Sequence, residues 1–173
     1  SLLGQGVIAR FDPETYSDSI AFARMGEGSI GGKARGLAFM NSMLIKYRFY
    51  DRHPEVRITI PRSVVIATDY FDEFIRNNGL KYIISQEFSD EEILSEFVSS
   101  TIPVKLQREL KAYIKTVSTP LAVRSSSKLE DSHYQPFAGI YSTYMIPFTK
   151  NEDQMLRLLL RAVKSVYASV YFA

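Results

Sequence analysis

The 173-residue sequence contains no cysteine. That absence excludes disulfide scaffolds, thiol nucleophiles, iron–sulfur clusters and cysteine-based zinc sites, and it fits a reducing, cytoplasmic setting. Histidine is nearly as scarce: His53 and His133 are the only two, too far apart for an H-E-x-x-H helix and too few for a three-histidine metal site. No apolar run approaches the roughly 20 residues that span a bilayer, and Ser1-Leu2-Leu3-Gly4-Gln5 has no basic segment leading into a signal-type apolar stretch. An excess of one charge is missing too. Lys plus Arg total 21 against 19 Asp plus Glu, a net charge of +2, so bulk electrostatics give no pull toward nucleic acid or a membrane surface. Any basic site must be local. Internal repeats, low-complexity tracts and linkers are also absent.

What is present is ordinary globular material, 46% hydrophobic and 23% charged, enough for one domain with a real core. The chain opens without methionine and closes with Ala162, Val163, Val166, Val170 and Phe172 at helical spacing and no stop signal after them, which predicts a piece of a longer protein. An exposed apolar face on that last helix is expected if a neighbouring lobe lies outside the chain.

The pattern predicts helices mixed with a few short strands, an α+β or α/β fold. A glycine-dense loop, Gly26-Glu27-Gly28-Ser29-Ile30-Gly31-Gly32-Lys33, leads into an amphipathic helix with Leu37, Met40, Leu44 and Tyr47 on one face. Ile58-Thr59-Ile60-Pro61 precedes a β-branched run, Ser63 to Ala67, suited to a buried strand. Thr68 or Asp69 then caps a helix through Ile75, closed by Asn78-Gly79. Ser89-Asp90-Glu91-Glu92 is a capping box opening a helix with Ile93, Leu94, Phe97 and Val98 inside. Pro103 starts another, carrying Leu106, Leu110, Tyr113 and Val117. Pro120 to Arg124 reads as a brief buried strand running into a polar loop, Gly139 to Ile146 as a further strand, and Asn151 as the start of the last helix. The aromatic residues, Phe39, Phe71, Phe74 and Phe97 among them, fall at core-compatible positions.

Two places could carry chemistry. Backbone N–H groups of the glycine loop can surround an anion, with a helix start and Lys33 adding positive charge, so polyphosphate is the natural ligand class. The same loop also reads as a plain structural turn. Gly26-x-Gly28-x-x-Gly31 satisfies the dinucleotide fingerprint, which requires a strand directly before it, and Ser19 to Ala23 is an ambiguous one. The Walker pattern fails, because Glu27 stands at its first glycine and Ala34 replaces the Mg²⁺-binding Ser or Thr. The second place is Arg124, at a strand end and followed by Ser125-Ser126-Ser127, suited to bidentate phosphate binding. Its alternative is a surface ion pair to Glu130 or Asp131. Those two acids could hold Mg²⁺ or simply be solvated, and each histidine reads as a surface residue.

Gly31-Gly32-Lys33-Ala34-x-x-Leu37, Ile60-Pro61-x-x-Val64-Val65-Ile66-Ala67-Thr68-Asp69, Ala122-Val123-Arg124-Ser125-Ser126, Glu130-Asp131 and Phe137-Ala138-Gly139 together resemble one family in order and spacing. It is the N-terminal nucleotide-binding region of phosphoenolpyruvate synthase and pyruvate phosphate dikinase. The resemblance runs from about Gly28 to Met145, the last helix is similar to the one that follows in the family, and Ser1 to Met25 is unmatched.

The resemblance implies an α+β first lobe of an ATP-grasp fold over residues 26–173, several helices around a small sheet, with 1–25 as an N-terminal extension. It implies that Lys33 touches the ATP phosphates, that Arg124 is the catalytic residue supporting the transferring phosphoryl group, and that Gly139 and Thr143 belong to a loop over the triphosphate. Ile140, Tyr141 and Ser142 replace the Gln-Gln-Asp usual there, which motivates a second reading, a non-catalytic nucleotide-sensing or interaction module. In the family ATP gives its phosphoryl group to a histidine on another domain, which passes it to pyruvate or a related acceptor. The Mg²⁺ ligands and that histidine are expected outside this chain, so alone it is expected to be inactive.

Overall fold

A computed structural model describes residues 8–17, 19–126 and 143–172. Three short strands, β1 (Ala9–Arg10), β2 (Phe22–Met25) and β3 (Ser63–Ile66), form a parallel sheet in the order β1-β2-β3. Parallel neighbours need a crossover, and between β2 and β3 it is α1 (Gly32–Lys46) and α2 (Phe49–Arg52). The chain continues through α3 (Thr68–Asn77), a 3-10 turn (Leu80–Ile84), α4 (Asp90–Ser99) and α5 (Val104–Ile114). A separate antiparallel pair, β4 (Leu121–Val123) and β5 (Tyr144–Ile146), precedes the long α6 (Glu152–Ser169). Helices and small sheets in this mixture are an α+β fold.

The core lies among the helices. Phe74 of α3, Phe97 of α4, Leu106 of α5 and Met155 of α6 are sealed from solvent together with Met25 of β2. Phe74 packs at 5.6 Å from Phe97 and 5.3 Å from Tyr167 between ring centroids, tilted arrangements that suit the ring quadrupoles. The helix ends are fixed by local chemistry. Ser89 Oγ accepts the Glu92 N–H while the Glu92 carboxylate accepts the Ser89 N–H, so the capping box forms as its sequence predicts. Asn151 caps α6 by accepting the Gln154 N–H at 3.0 Å. Asn78 does more than end α3: its amide donates to the Phe74 and Thr101 carbonyls and accepts the Thr101 N–H, tying α3 to the segment before α5.

The first 25 residues, unmatched in the family resemblance, supply β1, β2 and part of this core. Phe11 and Tyr16 are buried and meet Tyr113 of α5 at 6.0 and 5.9 Å. Burial, then the neighbouring Tyr16, outweigh Arg62 and push the Tyr113 phenol up to about 12.

Elsewhere the apolar surface is not where periodicity put it. α1 buries Ala34 and Ala38, whereas Phe39, Met40 and Tyr47 are exposed; the small residues allow close approach, and the larger face is left outward. Phe39 is therefore not a core residue. α6 buries Met155, Leu159, Ala162, Val163 and Ala168 against α4, α5, β4 and β5, while Leu158 stays exposed. Strand β4 is half-buried with Ala122 exposed; among the described residues it pairs with β5 alone.

Candidate functional site

The glycine loop leaves β2 at Gly26 and ends where α1 begins at Gly32. Gly26 (φ 89°) and Gly31 (φ 82°) adopt backbone conformations that L side chains rarely take. Close approach matters as much. A Cβ on Gly28 would lie 2.6 Å from the Asp69 amide nitrogen and 2.7 Å from Thr68 Oγ1, so the loop can sit on the start of α3 only without a side chain there.

That docking also answers the loop's amides. The Glu27 N–H donates to Asp69 Oδ2 at 2.8 Å, the Ser29 N–H to Thr68 Oγ1 at 3.0 Å, and the Thr68 N–H returns to the Ser29 carbonyl at 2.9 Å. Thr68 and Asp69 thus do not cap their own helix, whose N-cap is Ala67; they hold the loop. Burial pushes the Asp69 carboxyl up, but the amides of Glu27, Gly28, Tyr70 and Asp69 itself prevail and hold it below the usual carboxylate range. Its Oδ1, like the Tyr167 hydroxyl, is buried without a hydrogen-bond partner among the described residues.

The strand-end candidates converge on the other side of the loop. Ser126 Oγ donates to the Ile30 carbonyl at 3.0 Å, and the Ser126 carbonyl lies where a Cβ on Gly31 would be. This contact joins the segment after β4 to the start of α1, which carries exposed Lys33 in its first turn. Arg124 is exposed two residues before Ser126. Extending the β4–β5 register, Val123 opposite Tyr144, by one residue sets Arg124 opposite Thr143. Ser126 thus sets the segment that carries Arg124 against the start of α1, where Lys33 lies. Gly139, the Glu130-Asp131 pair and His133 lie outside the described residues. His53 ends α2, packs on Phe49 and lies 3.6 Å from Glu55, a surface arrangement.

The arrangement offers cations and helix-start dipole to an anion, and a phosphate chain fits that donor set. Among the described residues no three His, Asp or Glu side chains gather as a metal site. Among the described residues no helix is long and apolar enough to cross a membrane.

Residues 27–173 match the family model described as pyruvate phosphate dikinase, AMP/ATP-binding domain. The chain belongs to this family. It is 30% identical over 165 residues to a phosphoenolpyruvate synthase of Aeropyrum pernix, an alignment covering 83% of this chain and 18% of that protein. The chain thus spans less than a fifth of that relative's length. No solved structure gives a significant match.

Membership in the dikinase ATP-binding family bears on the dinucleotide fingerprint. The strand the fingerprint needs is present, since β2 runs straight into Gly26 and β2–α1–β3 is a parallel unit. It lies at Phe22–Met25 rather than at the Ser19 to Ala23 expected from sequence, and its run Phe-Ala-Arg-Met lacks the strict alternation that marks a strand. What fails is the role of the second glycine. In a dinucleotide site it admits a pyrophosphate to the backbone, whereas Gly28 admits the first residues of α3.

Two features had no sequence signal. Asp69 as the loop's internal anion becomes visible only when β3 is paired beside β2, bringing positions 27 and 69 together. Ser126 was one of three like serines, and only its contact with Ile30 distinguishes it.

Proposed function

We propose that this chain is the ATP-binding first lobe of an ATP-grasp in a phosphoenolpyruvate synthase-like phosphotransferase. The reading rests on the family match over 27–173, and the observation that carries it to particular residues is the Ser126–Ile30 contact, which brings the Arg124 and Lys33 segments together. The lobe comprises residues 26–173, with 8–25 supplying two strands of its sheet.

In this reading Lys33 and Arg124 hold the ATP phosphates, with Gly139 and Thr143 closing over them. Phosphoryl transfer is mostly positioning and charge neutralisation, so two cations fixed on a helix start and a strand end are suitable instruments. Mg²⁺ ligands and the phosphohistidine come from domains beyond these residues, and the acceptor is pyruvate or a related small molecule. The protein works in the cytoplasm.

The test is calorimetric titration of the chain with Mg²⁺-ATP, beside a Lys33→Ala, Arg124→Ala double variant and with NAD as control. Saturable ATP binding that the double variant loses is the expected result. Binding of NAD in preference to ATP would refute it. In the full-length protein Arg124→Ala should nearly abolish phosphoryl transfer; an unchanged rate would remove Arg124 from its catalytic role.

A further inference from the structure

Beside the glycine loop, on the face turned toward β1, lies an open depression of about 450 Å³ lined by Ile8, Arg24, Gly28, Ser29, Ile30 and Arg35. Neither arginine belongs to the motifs that point to Lys33 and Arg124. Arg24 projects half-buried from β2, and its Nη2 is held 3.0 Å from Glu27 Oε2. The other oxygen of Glu27 is engaged by Arg10 at 2.8 Å. One carboxylate thus serves two guanidiniums, and Arg35, exposed on the first turns of α1, forms no ion pair with any described residue. Arg10 and Arg24 share the Glu27 carboxylate, and Arg35 adds a further positive charge beside the loop that Asp69 holds.

We propose that this depression is a seat for the phosphate chain of the nucleotide, with Arg24 and Arg35 as its ligands in addition to Lys33 and Arg124. The inference rests on the nucleotide-binding reading and makes it more specific. A phosphate chain ordinarily uses the amides of a glycine loop. Here the Glu27 and Ser29 amides already donate to Asp69 and Thr68, so the charge of the ligand must be met by side chains. Arg24 is pre-oriented by Glu27, which engages one edge of its guanidinium and leaves other donors of the fork for a second anion. Arg35 lines the same depression from α1, whose first turn holds no acidic residue to compete for it. A space of about 450 Å³ far exceeds the roughly 30 Å³ of a water molecule and admits more than one phosphate group.

The experiment measures affinity of the chain for ATP, tripolyphosphate and adenosine by calorimetry, for the wild type and for Arg35→Ala, Arg35→Lys and Lys33→Ala. Arg35 is an exposed helical position, so alanine there keeps the fold, which circular dichroism verifies. Arg35→Ala is expected to weaken ATP and tripolyphosphate about tenfold each, the loss of one charge-assisted contact. Arg35→Lys should recover part of that loss, and adenosine binding should not change. If Lys33→Ala weakens ATP but Arg35→Ala leaves it unchanged, the seat is refuted while the nucleotide reading stands. If the wild type binds tripolyphosphate through Arg35 but not ATP, the seat stands and the nucleotide reading fails. Absence of tripolyphosphate binding refutes the seat outright.

Discussion

The two halves of the molecule are built on opposite terms. Around α3, α4, α5 and α6, large side chains are sealed in and helix ends are closed by Ser89, Asn78 and Asn151. Even the last carbonyls of α4 are answered, by Lys164 donating to Val98 at 2.6 Å and Ser100 at 3.1 Å. Around β1, β2 and α1, the strands are two to four residues long, α1 has no side-chain cap, and the loop is held by a few polar bonds. Stability is concentrated in the helical half, and the other half is left to present charge and backbone to a ligand.

This division is broken most severely from the core side. Phe97 has no solvent exposure and touches the rings of Phe74 and Tyr171, so Phe97→Ala should lower unfolding free energy by about 3–5 kcal/mol. Chemical denaturation checks this, and a loss under about 1 kcal/mol would mean the core is elsewhere.

On the loop side the largest effect should come from Asp69. Asp69→Ala leaves the Glu27 amide without its acceptor and should cost about 1.5–3 kcal/mol, as for a hydrogen bond to a charged group. The sign of its pH dependence follows from a carboxyl lowered in the folded state. The stabilisation is complete above the unfolded value near 3.9 and is lost as pH falls through the lower folded value. Denaturation curves at pH 6 and pH 3 should therefore differ less for Asp69→Asn than for the wild type; equal differences would show that Asp69 does not hold the loop.

The same division explains what the sequence disclosed. Periodicity and capping rules located α4, α5 and α6 because helix ends and apolar stripes are local properties, visible in Ser89-x-x-Glu92 or in Leu106 and Leu110. Where burial depends on partners distant in sequence, the rules misplace it. The apolar stripe of α1 points outward because its packing face is the small one, Ala34 and Ala38. Motif spacing singled out Lys33 and Arg124 as candidates, but not the Ser126 link between their segments or the carboxylate of Asp69 under the loop. Both are pairings over long sequence separation, which no local pattern records. Nothing in the sequence singled out Arg24 and Arg35, which line one depression only in the folded chain.

Two glycines at the start of α1 turn the comparison into a paired experiment. Gly31 has φ 82° and abuts the Ser126 carbonyl, so Gly31→Ala should destabilise by about 1–3 kcal/mol through backbone strain alone. It should also weaken ATP binding by parting the Arg124 segment from Lys33, measured by the same titration. Retained affinity would show that the Ser126 contact does not organise the site.

Gly36 lies five residues further on, inside α1, where an added Cβ meets nothing within 4 Å. Its replacement by Ala removes backbone freedom from the unfolded chain and adds no contact. Gly36→Ala should therefore raise stability by about 0.5–1 kcal/mol, read as a rise of about 1–4 °C in Tm. ATP affinity should stay the same, because the change stiffens the helix without touching the cations. A gain in stability accompanied by a loss of binding would mean that the start of α1 must move to receive its ligand, and that the weak half of the molecule is weak for that purpose.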